Sequence, residues 1–153
     1  LKGEKMDMII QKATELGVKK IIPFVSDRCI VRHTRKIGRW EKIAKEASEQ
    51  SHRSIVPEIS NVINFSELIK NIDNGILFWE KATSPLIQTI SEVNHDKNIF
   101  LLIGPEGGFS QEEVSQAEKM NIKTASLGKR ILKAETASIV SVALVSFLLQ
   151  WKL

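Results

Sequence analysis

Cysteine is almost missing from this chain: the 153 residues contain one, Cys29. No internal disulfide can form, and one free thiol fits a cytoplasmic setting. The three histidines, His33, His52 and His95, are scattered and make no metal-ligand spacing, so no metal site is expected. No secretory signal and no long apolar run occur. The longest apolar stretch, Ala137 to Leu149, is too short to cross a bilayer and contains Ser138, Ser141 and Ser146, so no membrane partner is expected. Neither the Walker phosphate loop nor the GxGxxG dinucleotide fingerprint is present. No repeat, low-complexity tract or linker interrupts residues 1–153, which read as one domain.

The chain is 42% hydrophobic and 26% charged, an ordinary globular composition with enough length for a real core. The net charge is +4, a mild excess that favours an anionic partner.

Helices are predicted over Lys5–Leu16, Gly38–His52, Phe65–Ile72, Ser84–Ser91, Ser110–Met120 and Glu135–Trp151. Ser110 and Glu113 have capping-box spacing. Strands are predicted over Lys20–Phe24, Glu58–Val62, Gly75–Glu80, Asn98–Ile103 and Lys123–Leu127. This alternation predicts an α/β fold with a parallel sheet and helices on both faces. The last helix is apolar nearly all round, so burial on every side is expected.

Two segments carry most of the chemistry. Leu101-Leu-Ile-Gly-Pro-Glu-Gly-Gly-Phe-Ser110 and Ser126-Leu-Gly-Lys-Arg-Ile-Leu-Lys-Ala-Glu-Thr-Ala137 are each an apolar run that stops in a glycine-containing loop and feeds a helix. Such loops are tight turns in any protein. They also line pockets, because glycine lets a ligand approach the main chain. Two of them one β-α unit apart would wall a single nucleoside-sized site. A basic stretch holds Arg28, Arg32, Arg35, Lys36, Arg39, Lys42 and Lys45, opposed in sequence only by Glu41. It reads as a solvated face or, given its arginines, as a phosphate contact. Glu49 and Arg53 have the spacing of a helical ion pair.

Taken with Lys12-Ala-Thr-Glu-Leu-Gly-Val18, Ser26-Asp-Arg28, Trp40-Glu-Lys-Ile43 and Glu46-Ala-Ser-Glu-Gln-Ser-His-Arg53, the two loops resemble the SPOUT class of RNA methyltransferases. The resemblance runs in order over nearly the whole chain. It is greatest to the branch that methylates N3 of a uracil in 16S ribosomal RNA. It implies a C-terminal deep trefoil knot, a homodimer built partly on the last helix with Phe147, Leu148 and Trp151, and S-adenosylmethionine as cofactor. It implies Ile103, Gly104, Gly108, Leu127, Gly128, Ile131 and Leu132 as cofactor contacts. Arg32, Arg35, Lys36, Arg39 and Gln50 would face RNA of the small ribosomal subunit. Arg28, Arg53 and Arg130 would stabilise an anionic uracil, with either Glu106 or Glu135 as base. For Glu135 a dipole-satisfying charge at a helix start is an equal reading. The family also carries a small PUA-like RNA-binding domain, expected to lie upstream of Leu1. Alternatives are a related enzyme acting on transfer RNA or on a ribose, and a non-catalytic ribosome-assembly module.

Overall fold

The computed structural model describes residues 4–29 and 36–150. In chain order the elements are α1 (Glu4–Glu15), β1 (Lys20–Ile21), β2 (Phe24–Val25), α2 (Ile37–Gln50), β3 (Glu58–Ile59), β4 (Ile63–Asn64), α3 (Phe65–Lys70), β5 (Gly75–Phe78), α4 (Leu86–Thr89), β6 (Phe100–Ile103), α5 (Gln111–Lys119), β7 (Lys123–Ala125) and α6 (Ala134–Gln150). A short 3-10 turn, Ile90–Glu92, extends α4. The chain is mixed α/β, and every strand pair among the described residues is parallel.

The strand expected over Lys20–Phe24 is split. Pro23 has no N–H to give a ladder, so pairing lapses there and resumes as β2. β1 pairs with β3, and β2 with β4. The Pro23 carbonyl still accepts from Ile63 N–H at 3.2 Å, at the start of the β2–β4 pairing.

The three-stranded sheet has the order β6-β5-β7. Its central strand, Gly-Ile-Leu-Phe, is buried at all four positions, as a strand covered on both faces must be. Alternation sends Leu77 to one face, into a core with Leu68, Leu102, Phe109, Val114 and Ile122 from the α3 and α5 side. Ile76 and Phe78 point the other way, onto Leu86, Ile90 and Val145 from α4, its extension and α6. Helices therefore cover both faces. A third cluster, Ile10, Trp40, Ala44 and Ile59, joins α1 and α2 to β3.

The last helix departs from expectation. One face of α6 is buried, through Ala134, Ser138, Ser141, Val142 and Val145, while Leu144 and Phe147 are 41% and 54% exposed. Small residues at the buried positions suit close approach of α1, which packs alongside. The two buried serines cost little, because Ser138 Oγ donates to the Ala134 carbonyl at 2.8 Å and Ser141 Oγ to the Ser138 carbonyl at 3.0 Å. An all-apolar pattern thus marks a helix with one face buried and apolar side chains partly exposed on another. Trp151 lies outside the described residues.

Candidate functional site

Because β6, β5 and β7 are parallel, their C-terminal ends open on one edge. Ligands of parallel sheets bind at that edge. Three connections converge there: 104–110 after β6, 79–85 after β5 and 126–133 after β7.

The first connection is locked into α5. Ser110 Oγ accepts from Glu113 N–H at 3.2 Å, and Glu113 Oε2 accepts from Ser110 N–H at 2.8 Å, so the capping box read from the sequence is formed. Glu113 is buried, and its other oxygen accepts from Asp27 N–H at 2.9 Å. Ser110 Oγ in turn donates to Asp27 Oδ2 at 3.0 Å. One glutamate thereby satisfies two backbone donors and ties the 26–29 segment to the glycine loop.

Each of two glycines in that loop makes room for a different neighbour. A Cβ on Gly107 would stand 3.1 Å from Arg28 Cβ, and Arg28 Nη1 donates to the Gly107 carbonyl at 2.8 Å. A Cβ on Gly108 would stand 3.1 Å from a Glu80 carboxylate oxygen, and Gly108 has φ +68°, which disfavours other residues. Gly108 N–H closes a turn on the Pro105 carbonyl at 2.9 Å.

The second connection is tied to the loop after β5. Ser126 N–H donates to Ser84 O at 2.8 Å, and Leu86 N–H donates to Ser126 O at 3.2 Å. Ser126 Oγ accepts from Gly128 N–H at 3.1 Å, and a Cβ on Gly128, at φ +120°, would meet open space. Leu127 and Leu132 are half-buried, and Lys129 and Arg130 are exposed. Ile131 is 85% exposed, an apolar side chain held out in solvent beside a bare main chain.

The two candidate bases share one cation. Lys5 Nζ lies 3.0 Å from Glu106 Oε1 and 3.9 Å from Glu135 Oε1. The hydrogen bond from Lys5 holds the Glu106 carboxyl below its ordinary value, with desolvation opposing. A group so held is a weak proton acceptor near neutrality. Glu135 Oε2 is buried and has no hydrogen-bond partner among the described residues.

Other expected residues take different positions. Arg53 Nη1 donates to the carbonyls of Thr14 at 2.6 Å and Val18 at 3.1 Å, capping the C-terminal end of α1. Its guanidinium therefore has a structural task that neither the helical ion-pair reading nor the uracil-stabilising one anticipated. Arg39 pairs with Asp7 on α1 at 2.7 Å, so the basic stretch is opposed in space by a carboxylate distant in sequence. Gln50 lines a groove between α1 and α2 with Glu4, Asp7 and Glu46. Lys36 is exposed just before α2, while Arg32, Arg35 and His33 lie outside the described residues.

A cleft of about 920 Å³ runs between α1 with β1 and β2 on one side and β6 with α6 on the other. It is mainly apolar and meets the first glycine loop only at Ile103, Gly104 and Pro105. Polar groups converge instead on the sheet edge, and the edge is the better candidate. Among the described residues no group of three or more His, Cys, Asp or Glu side chains could hold a metal, and no helix is long and apolar enough to cross a membrane.

Two polar residues of the site escaped the sequence reading. Glu80 was assigned to the strand over Gly75–Glu80, yet β5 ends at Phe78 and Glu80 lies on the loop. Its signal was its place as the first charge after a buried parallel strand. Lys5 lay at the start of a predicted helix, and no local pattern joins it to residues about a hundred positions away.

The RNA methyltransferase domain family matches residues 1–146. The chain is similar to ribosomal RNA small subunit methyltransferase E of Mesomycoplasma hyopneumoniae, at 38% identity over 91% of this chain and 63% of that protein. The same-named protein of Bacillus subtilis is 35% identical over 95% of this chain and 62% of its own length. The chain thus spans about three fifths of the curated relatives it matches. Among solved structures, the Neisseria gonorrhoeae protein of that name, crystallised with S-adenosyl methionine, superposes with a TM-score of 0.86 at 34% identity, covering 96% of this chain and 62% of that one.

Proposed function

The chain belongs to the RNA methyltransferase domain family, and from that premise we propose that it is the catalytic domain of a cytoplasmic S-adenosylmethionine-dependent enzyme that methylates N3 of a uracil in 16S ribosomal RNA. The observation that carries the reading is the convergence of two glycine-bearing loops on one sheet edge, flanking β5. The residues fit the cofactor. Gly128 borders open space, and Ile131 stands exposed beside it as an apolar surface for a flat ring.

When bound, S-adenosylmethionine supplies a methyl carbon on a positively charged sulfur. Ile103, Gly104 and Gly108 form one wall of its site, and Leu127, Gly128, Ile131 and Leu132 the other. Uracil N3 must lose its proton before it can attack. Arg28 and Arg130 stabilise the resulting charge on O2 and O4. Glu135 takes the proton in preference to Glu106, since the hydrogen bond from Lys5 lowers the basicity of the Glu106 carboxylate. Arg53 supports this indirectly, by fixing the end of α1. Arg28, Lys36 and the other cations of that stretch attract the RNA backbone, so binding weakens as salt rises.

The test is methylation of small-subunit RNA by this chain and by a full-length relative, with the product read by mass spectrometry of nucleosides. N3-methyluridine is the expected product. The chain alone should react more slowly, because phosphate contacts position RNA without specifying a target. A methyl group on ribose or on another base overturns the substrate reading, and rates and salt dependence equal to the relative's overturn the need for a further RNA-binding domain.

In this reading the partly exposed apolar side chains of α6, Leu144 and Phe147 among them, meet a second copy in a homodimer, and the resemblance implies that the same helix is threaded as a deep trefoil knot. Sedimentation at micromolar concentration should show a dimer, and Phe147→Asp should shift it toward monomer. A wild-type chain that stays monomeric contradicts the assignment.

A further inference from the structure

We propose that Lys5 is a positioning residue of the methyl-transfer site: it bridges Glu106 in the loop after β6 to Glu135 at the start of α6, and so fixes the two loops that flank β5 relative to each other. This rests on the cofactor reading above.

The two loops come from different strands, and the described backbone bonds tie each to other parts of the fold. The loop after β6 is anchored to α5 and to the 26–29 segment, and the loop after β7 to the one after β5. Lys5 reaches both from a third element, α1, which packs beside α6. An ammonium has three donors and no acceptor, so it can serve two carboxylates at once. Here it is 3.0 Å from Glu106 Oε1 and 3.9 Å from Glu135 Oε1.

The Lys5–Glu106 arm is partly exposed, at 41% and 37% of the two side chains, and it is the Glu135 arm that sets the bridge apart from an ordinary surface pair. Lys97–Asp73 and Lys20–Glu58 join exposed side chains away from both loops. Glu135 has only 16% of its side chain exposed, and its second oxygen is buried with no hydrogen-bond partner among the described residues. A mostly covered carboxylate depends on its counter-ion more than an exposed one does. Without Lys5, two carboxylates that share one cation would be left to repel each other.

The wild-type bridge persists across the neutral range. Glu106 is held below its ordinary 4.5, chiefly by the hydrogen bond from Lys5, and that same bond raises Lys5 above its ordinary 10.5. A lowered carboxyl loses its contribution only as pH falls through its folded value, and a raised amine only as pH rises through its own. Among the described residues, Arg28 sits on the Gly107 carbonyl and Glu80 against Gly108, and Glu4 and Lys133 are sequence neighbours of Lys5 and Glu135; the terminal amino group also acts to lower Glu106. All are retained in the variants below.

The experiment is calorimetric titration of S-adenosylmethionine into the wild type, Lys5→Met and Lys5→Arg, from about pH 4.5 to about pH 7, a span that reaches down to the ordinary carboxylate range and stays below the titration of α-amino groups. Thermal unfolding of each protein accompanies it. Wild-type affinity should be flat with pH. Lys5→Met should bind several-fold more weakly at the upper end and recover as pH falls, because protonating one carboxylate removes the repulsion. Lys5→Arg should restore binding and the flat profile, since a guanidinium can also span two carboxylates. A Lys5→Met protein with wild-type affinity at every pH overturns the proposal and leaves the cofactor reading intact. So does an equal, pH-independent loss in both variants, which marks mere packing. A wild-type chain that binds no S-adenosylmethionine removes the cofactor reading and this inference with it.

Discussion

Replacing Gly108 by valine should abolish measurable S-adenosylmethionine binding or weaken it at least about tenfold, equivalent to roughly 1.4 kcal/mol. Two effects add. Gly108 has φ +68°, where a β-branched residue is strained by about 1–3 kcal/mol. The new Cβ would also stand 3.1 Å from one Glu80 carboxylate oxygen and 3.2 Å from the other, so the Glu80 carboxylate must give way by a few tenths of an ångström. The loop is closed by the Gly108 N–H bond to Pro105 O, and Phe109 follows directly in the core, so the strain has little room to relax. Calorimetry on a variant shown to be folded by circular dichroism is the measurement. Adding Glu80→Ala should recover part of any steric loss but none of the backbone strain. Unchanged affinity in folded Gly108→Val protein would remove the cofactor from this loop.

Truncating the next residue, Phe109→Ala, should cost about 3–5 kcal/mol of stability, the usual range for a buried aromatic. Phe109 is 2% exposed. Its ring is stacked on Phe24 at 6.1 Å and tilted against Phe65 at 5.4 Å, so it joins β2 and α3 to the end of the glycine loop. Gly104 packs on the same ring: a Cβ there would stand 3.2 Å from it. The cavity left by alanine therefore lies under the loop. Urea unfolding should show the loss in midpoint, with cofactor affinity falling in parallel as the loop loses its floor. A change below about 1 kcal/mol would mean that the aromatic trio is not a stabilising unit.

Periodicity and punctuation are local, and what they encode was legible without coordinates. The helices around Ile9–Ile10 and Trp40–Ala44, the buried strand Gly75–Phe78 and the Ser110–Glu113 cap all depend on residues within a few positions of one another. Their order, with parallel strands separated by helices, was legible for the same reason. So were the two glycine loops, because a loop after an apolar run is a feature of adjacent residues. The resemblance to RNA methyltransferases rests on those same contiguous stretches.

Tertiary structure alone decided which charges act together. In sequence the basic stretch looks almost unopposed. In space Asp7 holds Arg39, and the carbonyls of Thr14 and Val18 hold Arg53. Glu106 and Glu135 are 29 positions apart and became one unit only when α1 brought Lys5 between them. Glu80 became part of the site because β5 is central, which places it against Gly108. The apolar wheel of α6 predicted burial on every side; packing of α1 and the sheet against its small residues decided that one face is buried and left Leu144 and Phe147 partly exposed. The division has one physical cause. Backbone propensity and amphipathic spacing act over a few residues, whereas a counter-ion or a covered face depends on which distant segment folding brings alongside.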